Sequence, residues 1–576
     1  MLKKLLLFFS KNSFKKYSLI ILGTVSWSLV MVRSGLCWDT GCFGGLGFWG
    51  ANGHDGIWHI ALAESLSQGF GGMPIFAGSG IQNYHIGFDL LLAALHKITL
   101  IPIVSLYFQI VPPVLAFFVG LLTYKFVSIW TKSEKASLWS TFFVYFGGSF
   151  GWLVSLFRGQ GLGGESMFWA QQSISTLINP PFTISLITIL LGLIYLQKYS
   201  NNRSLINSCL AVLFFGISIF VKVYAGLLVL SSLLAISVWQ IIKRKDYSIF
   251  WVLMASFAVS LLLFIPFNKT SIGLIVWQPF WFLESMMTYS DRFNWPRMYS
   301  AMTTYRMGHI WIKAVLAYGL SFAIFIIGNF GSRIIAFKLL FKNPKKIISA
   351  GPIEIFLFTL ILAGIIVPTL FVQKGTPWNT IQFFYYSLFF SGILAGIALG
   401  RIFDKVKSGT YVIIIGVAVI LLTISTTVAS MGNYLPASPQ STLPVGEMEA
   451  LEFLSGQPRG VVLAYPYDPE KSAREVAPRP LFLYTSTAYV SAFSGQPVFL
   501  EDQMNLDIMQ YPWAERRKSV EDFLNTFDIE SARSFLKENN ITYVYWLKDQ
   551  HARIGDKQLK MTKIFENDSA TIFKVD

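Results

Sequence analysis

Two histidines and two carboxylates fall within eleven positions of one another, in the run Asn52-Gly53-His54-Asp55-Gly56-Ile57-Trp58-His59 and the Glu64 that follows it. In a chain this apolar, ionisable groups beside a membrane pair with each other, face water or do chemistry. Asp55 and His59 are four residues apart, so on a helix they share a face, and Asp55 also adjoins His54. Three readings fit. A carboxylate steered by nearby histidines is a general base able to take a proton from an acceptor hydroxyl. His54, Asp55 and His59, with His85 as a further candidate, are ligand types for a divalent metal, although no H-E-x-x-H or other tight ligand spacing is present. A hydrogen-bonded network that only holds the loop together would use the same residues.

Other polar residues interrupt apolar sequence further along. Lys222, followed by Tyr224, breaks a long apolar run; it reads as a helix-end lysine reaching the interface or as a cation for a lipid phosphate. Lys374, Asn379 and Gln382 offer a second cation and two amides at the start of a span. Asn179-Pro180-Pro181 opens a helix, since proline is tolerated in the first turn and leaves backbone donors free for an anion.

The elements that must position these residues are membrane helices. The chain has 576 residues, of which 53% are hydrophobic and 13% charged, with a mean hydropathy of +0.53, far more apolar than a soluble domain. Apolar runs at 17–33, 103–129, 136–156, 181–197, 205–220, 223–241, 247–267, 310–330, 353–373, 381–400 and 410–430 predict about eleven transmembrane helices. No A-x-A cleavage pattern follows the first run, which is expected to remain as a span. The net charge of +15 would suit nucleic acid, but the basic residues lie in short clusters between spans, which argues against nucleic-acid binding. Lys132 and Lys135, Lys198 and Arg203, Lys243 to Lys245, Arg333 to Lys346 and Arg401 to Lys407 all fall on one side, the side of the amino terminus. The positive-inside rule makes that side cytoplasmic. The first loop, 34–102, and the carboxy-terminal region are then extracytoplasmic, at the plasma membrane of the cell. Tyr84 to Ile98 is apolar but short and carries His85, Asp89, His96 and Lys97, so it is expected as an interfacial helix within that loop. Trp277, Trp281, Trp295 and Tyr305 suit an aromatic belt. Of the three cysteines, Cys37 and Cys42 share the first loop and can bridge in an oxidising compartment, while Cys209 lies in an apolar run.

The expected layout is a transmembrane domain over 1–433, a proline-containing linker over 434–445 and a small α/β domain over 446–576. In the last of these, 460–465 and 541–546 read as strands, 529–538 as a helix, and 561–565 with 570–575 as a terminal hairpin.

This layout, with its early aspartate in a long first loop, about ten to thirteen spans and a terminal α/β domain, resembles the GT-C superfamily of membrane glycosyltransferases. That superfamily includes protein mannosyltransferases, oligosaccharyltransferases and lipid A aminoarabinose transferases. The runs Asp55-Gly56-Ile57-Trp58-His59, Asn83-Tyr84-His85-Ile86-Gly87-Phe88-Asp89 and Trp378-Asn379-Thr380-Ile381-Gln382-Phe383-Phe384-Tyr385-Tyr386 are similar to those of uncharacterised prokaryotic members. The resemblance implies a sugar donor on polyprenyl phosphate or diphosphate, a protein, lipid or glycan acceptor, and Asp55 at the first-loop acidic position as catalytic base. His54, His59, Glu64, His85, Lys222, Tyr224, Lys374, Asn379 and Gln382 are the candidates for substrate binding. Many members carry two adjacent acidic residues where this chain has His54-Asp55. Two other classes remain: a lipid or solute transporter, which would show broken helices in paired halves with midplane charges, and a non-catalytic cell-envelope assembly protein.

Overall fold

A computed structural model describes residues 11–69, 71–268, 273–338 and 351–576. Lys3 and Lys4, and Lys342 to Lys346 of the basic run, lie outside the described residues. Among those described, eight helices are long and apolar enough to cross a membrane, from Ile103–Thr131 to Gly409–Met431. A ninth span forms if Glu134–Phe146 and Gly151–Phe157, bent by 51°, count together. The chain is a multi-pass membrane protein.

The difference from the expected count has local causes. The first expected span folds as the helix Lys11–Ser28, but Lys11, Lys15 and Lys16 occupy its first turns and shorten its apolar length. The run at 205–220 gives Leu205–Val221, 17 residues long. The expected span 136–156 is not straight, because Gly147 and Gly148 leave the helix before Gly151 starts the next one. At 353–373 the helix ends at Leu370, just after Pro368. Phe371–Gln373 then pairs antiparallel with Ile275–Trp277.

The chain divides into two compact units. The first comprises 1–30, 113–266 and 271–433 and holds the spans from Glu134 onward. Its central helix, Gln382–Lys405, is buried along most of its length. A glycine ridge makes that possible: a Cβ on Gly396 would come within 2.1 Å of the Ser140 backbone nitrogen, and one on Gly400 within 2.9 Å of Ala136. Small residues four apart let helix backbones approach where lipid offers no hydrophobic drive for association. Elsewhere in this unit Leu262, Ile312, Val315 and Ile413 point outward, as side chains facing hydrocarbon must.

The second unit joins 31–112 and 267–270 to 434–576. Leu46–Phe48 lies between Leu36–Cys37 and Ser441–Leu443, antiparallel to both, and Ser441–Leu443 runs parallel to Arg479–Pro480. A second sheet carries Val461–Ala464 parallel to Ile541–Leu547, then Ala570–Val575 and Met561–Glu566 antiparallel. The expected strands, the helix Ile529–Glu538 and the terminal hairpin are all present. Cys37 and Cys42 form a disulfide, and Cys209 is free. Further bonds tie the two segments together: Val498 N–H donates to the Pro74 carbonyl, Glu501 N–H to that of Ile75, and the Trp49 indole to that of Pro436.

Candidate functional site

Asp55 opens the helix Asp55–Ser67, directly after the short 3-10 turn Gly50–Gly53. An acidic residue in a first turn complements the helix dipole. Asp55 is exposed, and its carboxylate makes no hydrogen bond or ion pair with the described residues. The preceding residue, His54, is the helix cap in an irregular conformation, with φ −107° and ψ −92°. Its Nδ1 shares a 2.6 Å hydrogen bond with Ser486 Oγ, and its ring meets Tyr484 edge to face at 4.3 Å. Burial holds the His54 imidazole below its usual pKa, partly countered by Asp55 and reinforced by the charge of Arg479. At neutral pH it is therefore a neutral hydrogen-bonding group that steers the turn bearing Asp55.

His59, one turn on, does not face the same surroundings as Asp55. It is 3% exposed, and its Nδ1 lies 2.6 Å from Asp89 Oδ1, a carboxylate with no exposure. Asp89 comes from the helix Gly87–Thr99, which overlaps the run Tyr84 to Ile98 expected from sequence to be helical. Tyr107 stacks on the His59 ring and Phe88 meets it edge-on. Glu64 is half-buried, and burial raises its pKa, with His96 opposing. His85 stacks on Tyr84 at 4.6 Å. The segment before it is anchored where Asn83 donates to the Met509 carbonyl and Gln82 N–H to the Tyr511 hydroxyl. Thus His54, Asp55 and His59 share one helix start but diverge in partners. Among the described residues no three His, Cys, Asp or Glu side chains converge as a metal-binding group.

The remaining candidates lie in the helical unit. Lys222 forms the break between Leu205–Val221 and Val223–Arg244. It is 4% exposed rather than reaching outward, and its ammonium lies 3.4 Å from Asn179 Oδ1. Asn179 caps Pro180–Asn202 by accepting from Phe182 N–H, which is the proline-led helix start expected from sequence. The Tyr224 hydroxyl donates to Gln373 Oε1 at 3.1 Å. Gln382 Nε2 donates to Asn379 Oδ1 at 3.1 Å, and Lys374 is exposed beside them in sequence. Lys222, Asn179, Tyr224 and Gln373 therefore form one polar patch at helix ends.

With this geometry in place, the chain can be set beside known proteins. No protein-family profile and no curated protein sequence matches it. Among solved structures, the Archaeoglobus fulgidus oligosaccharyltransferase tethered to an acceptor peptide superposes with a TM-score of 0.51 at 12% identity, covering 94% of this chain and 70% of that one. The fold is similar to that of this archaeal oligosaccharyltransferase. A second structure of the archaeal enzyme, AglB with an inhibitory peptide and dolichol-phosphate, gives 0.49 at 12% identity, over 92% of this chain and 69% of that one. ArnT from Cupriavidus metallidurans bound to undecaprenyl phosphate gives 0.41 at 10%, over 97% of each chain.

Sequence reading passed over Tyr484, Ser486 and Arg479, which bear directly on His54. Nothing in their local sequence marks them; only the pairing of distant short strands brings them to the Asp55 turn.

Proposed function

We propose that this chain is an inverting membrane glycosyltransferase that moves a sugar from a polyprenyl-phosphate or diphosphate donor to an acceptor on the extracytoplasmic face. The observation that carries the reading is Asp55: an exposed carboxylate without a hydrogen-bond partner among the described residues, held on a helix start by a neutral, half-buried His54, in a chain whose fold is similar to that of an archaeal oligosaccharyltransferase. Asp55 takes the proton of the acceptor O–H as its oxygen attacks the anomeric carbon. The bond from that carbon to the phosphate oxygen breaks, and the lipid phosphate leaves with the electron pair. A phosphate leaving group needs cations more than a proton, and Lys222 and Lys374 are assigned to it. His59 and Asp89 hold the helix that carries Asp55 and do not touch the reacting atoms.

The test is transfer from a labelled polyprenyl-phosphate sugar in membranes. Asp55→Asn retains size and most hydrogen bonding but cannot act as a base, and transfer falls on the order of 10²-fold or more. Lys222→Met, with insertion shown to be equal, raises the donor concentration needed by about tenfold through lost phosphate contact. Parental transfer by Asp55→Asn would rule out the base. Movement of the intact lipid without cleavage would point to the transporter class instead.

A further inference from the structure

In the composite unit a small cavity of about 30 Å³ is lined by Tyr465, Tyr467, Tyr484, Glu501, Asp502 and Gln503. Its free space admits one functional group and not a whole sugar ring. Tyr484 is the link to the candidate base, because the same ring meets His54 at 4.3 Å and the next residue but one, Ser486, bonds to the His54 ring.

Two polar groups in the wall have unused bonding capacity. Thr487 is 6% exposed, and its buried Oγ1 makes no hydrogen bond among the described residues. Gln503 Oε1 accepts from Arg517 at 3.0 Å, which fixes the amide and leaves its N–H groups without a bond among the described residues. Buried polar groups are nearly always satisfied, so the unused Thr487 hydroxyl facing a cavity points to a ligand that completes it. Asp502 adds a third sign. It is 3% exposed and adopts φ +46°, a left-handed conformation uncommon outside glycine. Its carboxyl accepts from both the backbone and side-chain nitrogens of Asn505. Burial raises its pKa to about 7 against the Asn505 bonds, and the Asp55 charge contributes to the rise. The two carboxyl groups therefore lie within electrostatic reach of each other.

We propose that this cavity is the acceptor-recognition subsite, taking one hydroxyl or hydroxymethyl group of a sugar-type acceptor. Tyr465, Tyr467 and Tyr484 offer aromatic faces to the C–H surface of a pyranose. Gln503, Thr487 and Asp502 hydrogen-bond the inserted hydroxyl, as in pockets where a few placed polar groups fix orientation. The word acceptor rests on the glycosyltransferase reading; the binding of a polyol does not.

The experiment is saturation-transfer NMR on the full chain in lipid nanodiscs, with methyl α-glucoside, methyl α-mannoside and methyl N-acetyl-β-glucosaminide as probes and ethylammonium as control. At least one glycoside binds and ethylammonium does not compete. Gln503→Ala weakens that binding by about tenfold, the worth of a lost buried hydrogen bond. Thr487→Val, which keeps shape, and Asp502→Asn, which tolerates the left-handed backbone and still caps Asn505, weaken it in the same direction while the proteins elute as the parent does. The proposal is overturned if no glycoside binds, if binding is indifferent to all three cavity variants, or if ethylammonium displaces the glycoside. Because binding is read without turnover, full transfer by Asp55→Asn would remove the base and leave the subsite standing. Indifference of glycoside binding to the cavity variants would remove the subsite and leave transfer standing.

Discussion

The two units keep their polar groups in different ways. In the helical unit the buried ammonium of Lys222 sits at the break between two helices, 3.4 Å from Asn179 Oδ1 and 5.6 Å from the Tyr224 ring. Only at such ends does a helix surrounded by hydrocarbon have backbone groups to spare for a charge. In the composite unit two aspartates on adjacent helices have opposite fates. Asp89 is enclosed and locked to His59, whereas Asp55 stands exposed without a bond among the described residues. A locked carboxylate holds structure; an uncommitted one is available to a substrate. Side-chain type does not separate these roles, but surroundings do.

The largest effect that would sharpen this contrast comes from Asp89→Ala. It leaves the His59 nitrogen buried opposite no acceptor, and removing one member of a buried pair costs about 3 to 5 kcal/mol. Thermal unfolding and proteolysis of the composite unit should report the loss, with transfer failing because the Asp55 helix is no longer held. Asp55→Asn should do the reverse, abolishing transfer with unchanged unfolding. If Asp89→Ala melts as the parent does yet transfers nothing, the structural role is wrong and Asp89 belongs with the chemistry.

How much of this was legible beforehand depended on the length of the signal. The spans showed because runs such as 410–430 are long and uniformly apolar, and the terminal hairpin showed because 561–575 alternates around a clear turn. Association of the first loop with the carboxy-terminal segment did not show. Its seam is made of strands two or three residues long, Leu46–Phe48 and Ser441–Leu443, nearly 400 positions apart, and strands that short have no periodicity to read. Asp55 was legible from its neighbours in sequence. The Ser486 bond to His54 and the Asp502 carboxyl near it were not, since both depend on that long-range seam. The bend at Gly147 was concealed for a different reason: hydropathy registers apolar residues and is indifferent to the direction of the axis.

A second contrast lies within the composite unit, between carboxyls in water and carboxyls in its core. Burial raises Glu447 and Glu501 from the usual 4.5 to about 8, in Glu501 against three hydrogen bonds from Val490 and Ser491. Both pKa values are higher folded than unfolded. The stability they contribute is thus fully present below about pH 4.5 and is lost as pH rises through about 8. Pulse proteolysis read on peptides from Ile541–Leu547 should show this unit weakening from pH 5 to pH 8. Glu447→Gln should flatten that slope, and a unit that strengthens over the same interval would show these carboxyls ionised in the folded state.

The smallest effect concerns the Cys37–Cys42 bridge, which closes a loop of only a few residues. A loop that short restricts the unfolded chain little, and its loss costs about 2 kcal/mol on chain-entropy grounds. Local bonds already hold the same turn: Gly44 N–H donates to Asp39 Oδ2 at 2.8 Å, and the Trp38 indole donates to the Gly44 carbonyl at 2.9 Å. The double change to serine should therefore loosen residues 36–48 in hydrogen exchange while leaving the Asp55 helix protected, because that helix is held separately by His59 and Asp89. Transfer should stay within a few-fold of the parent, far above the level of Asp55→Asn. A loss of transfer as deep as that of Asp55→Asn, with the Asp55 helix still protected, would mean that the bridged turn itself meets a substrate.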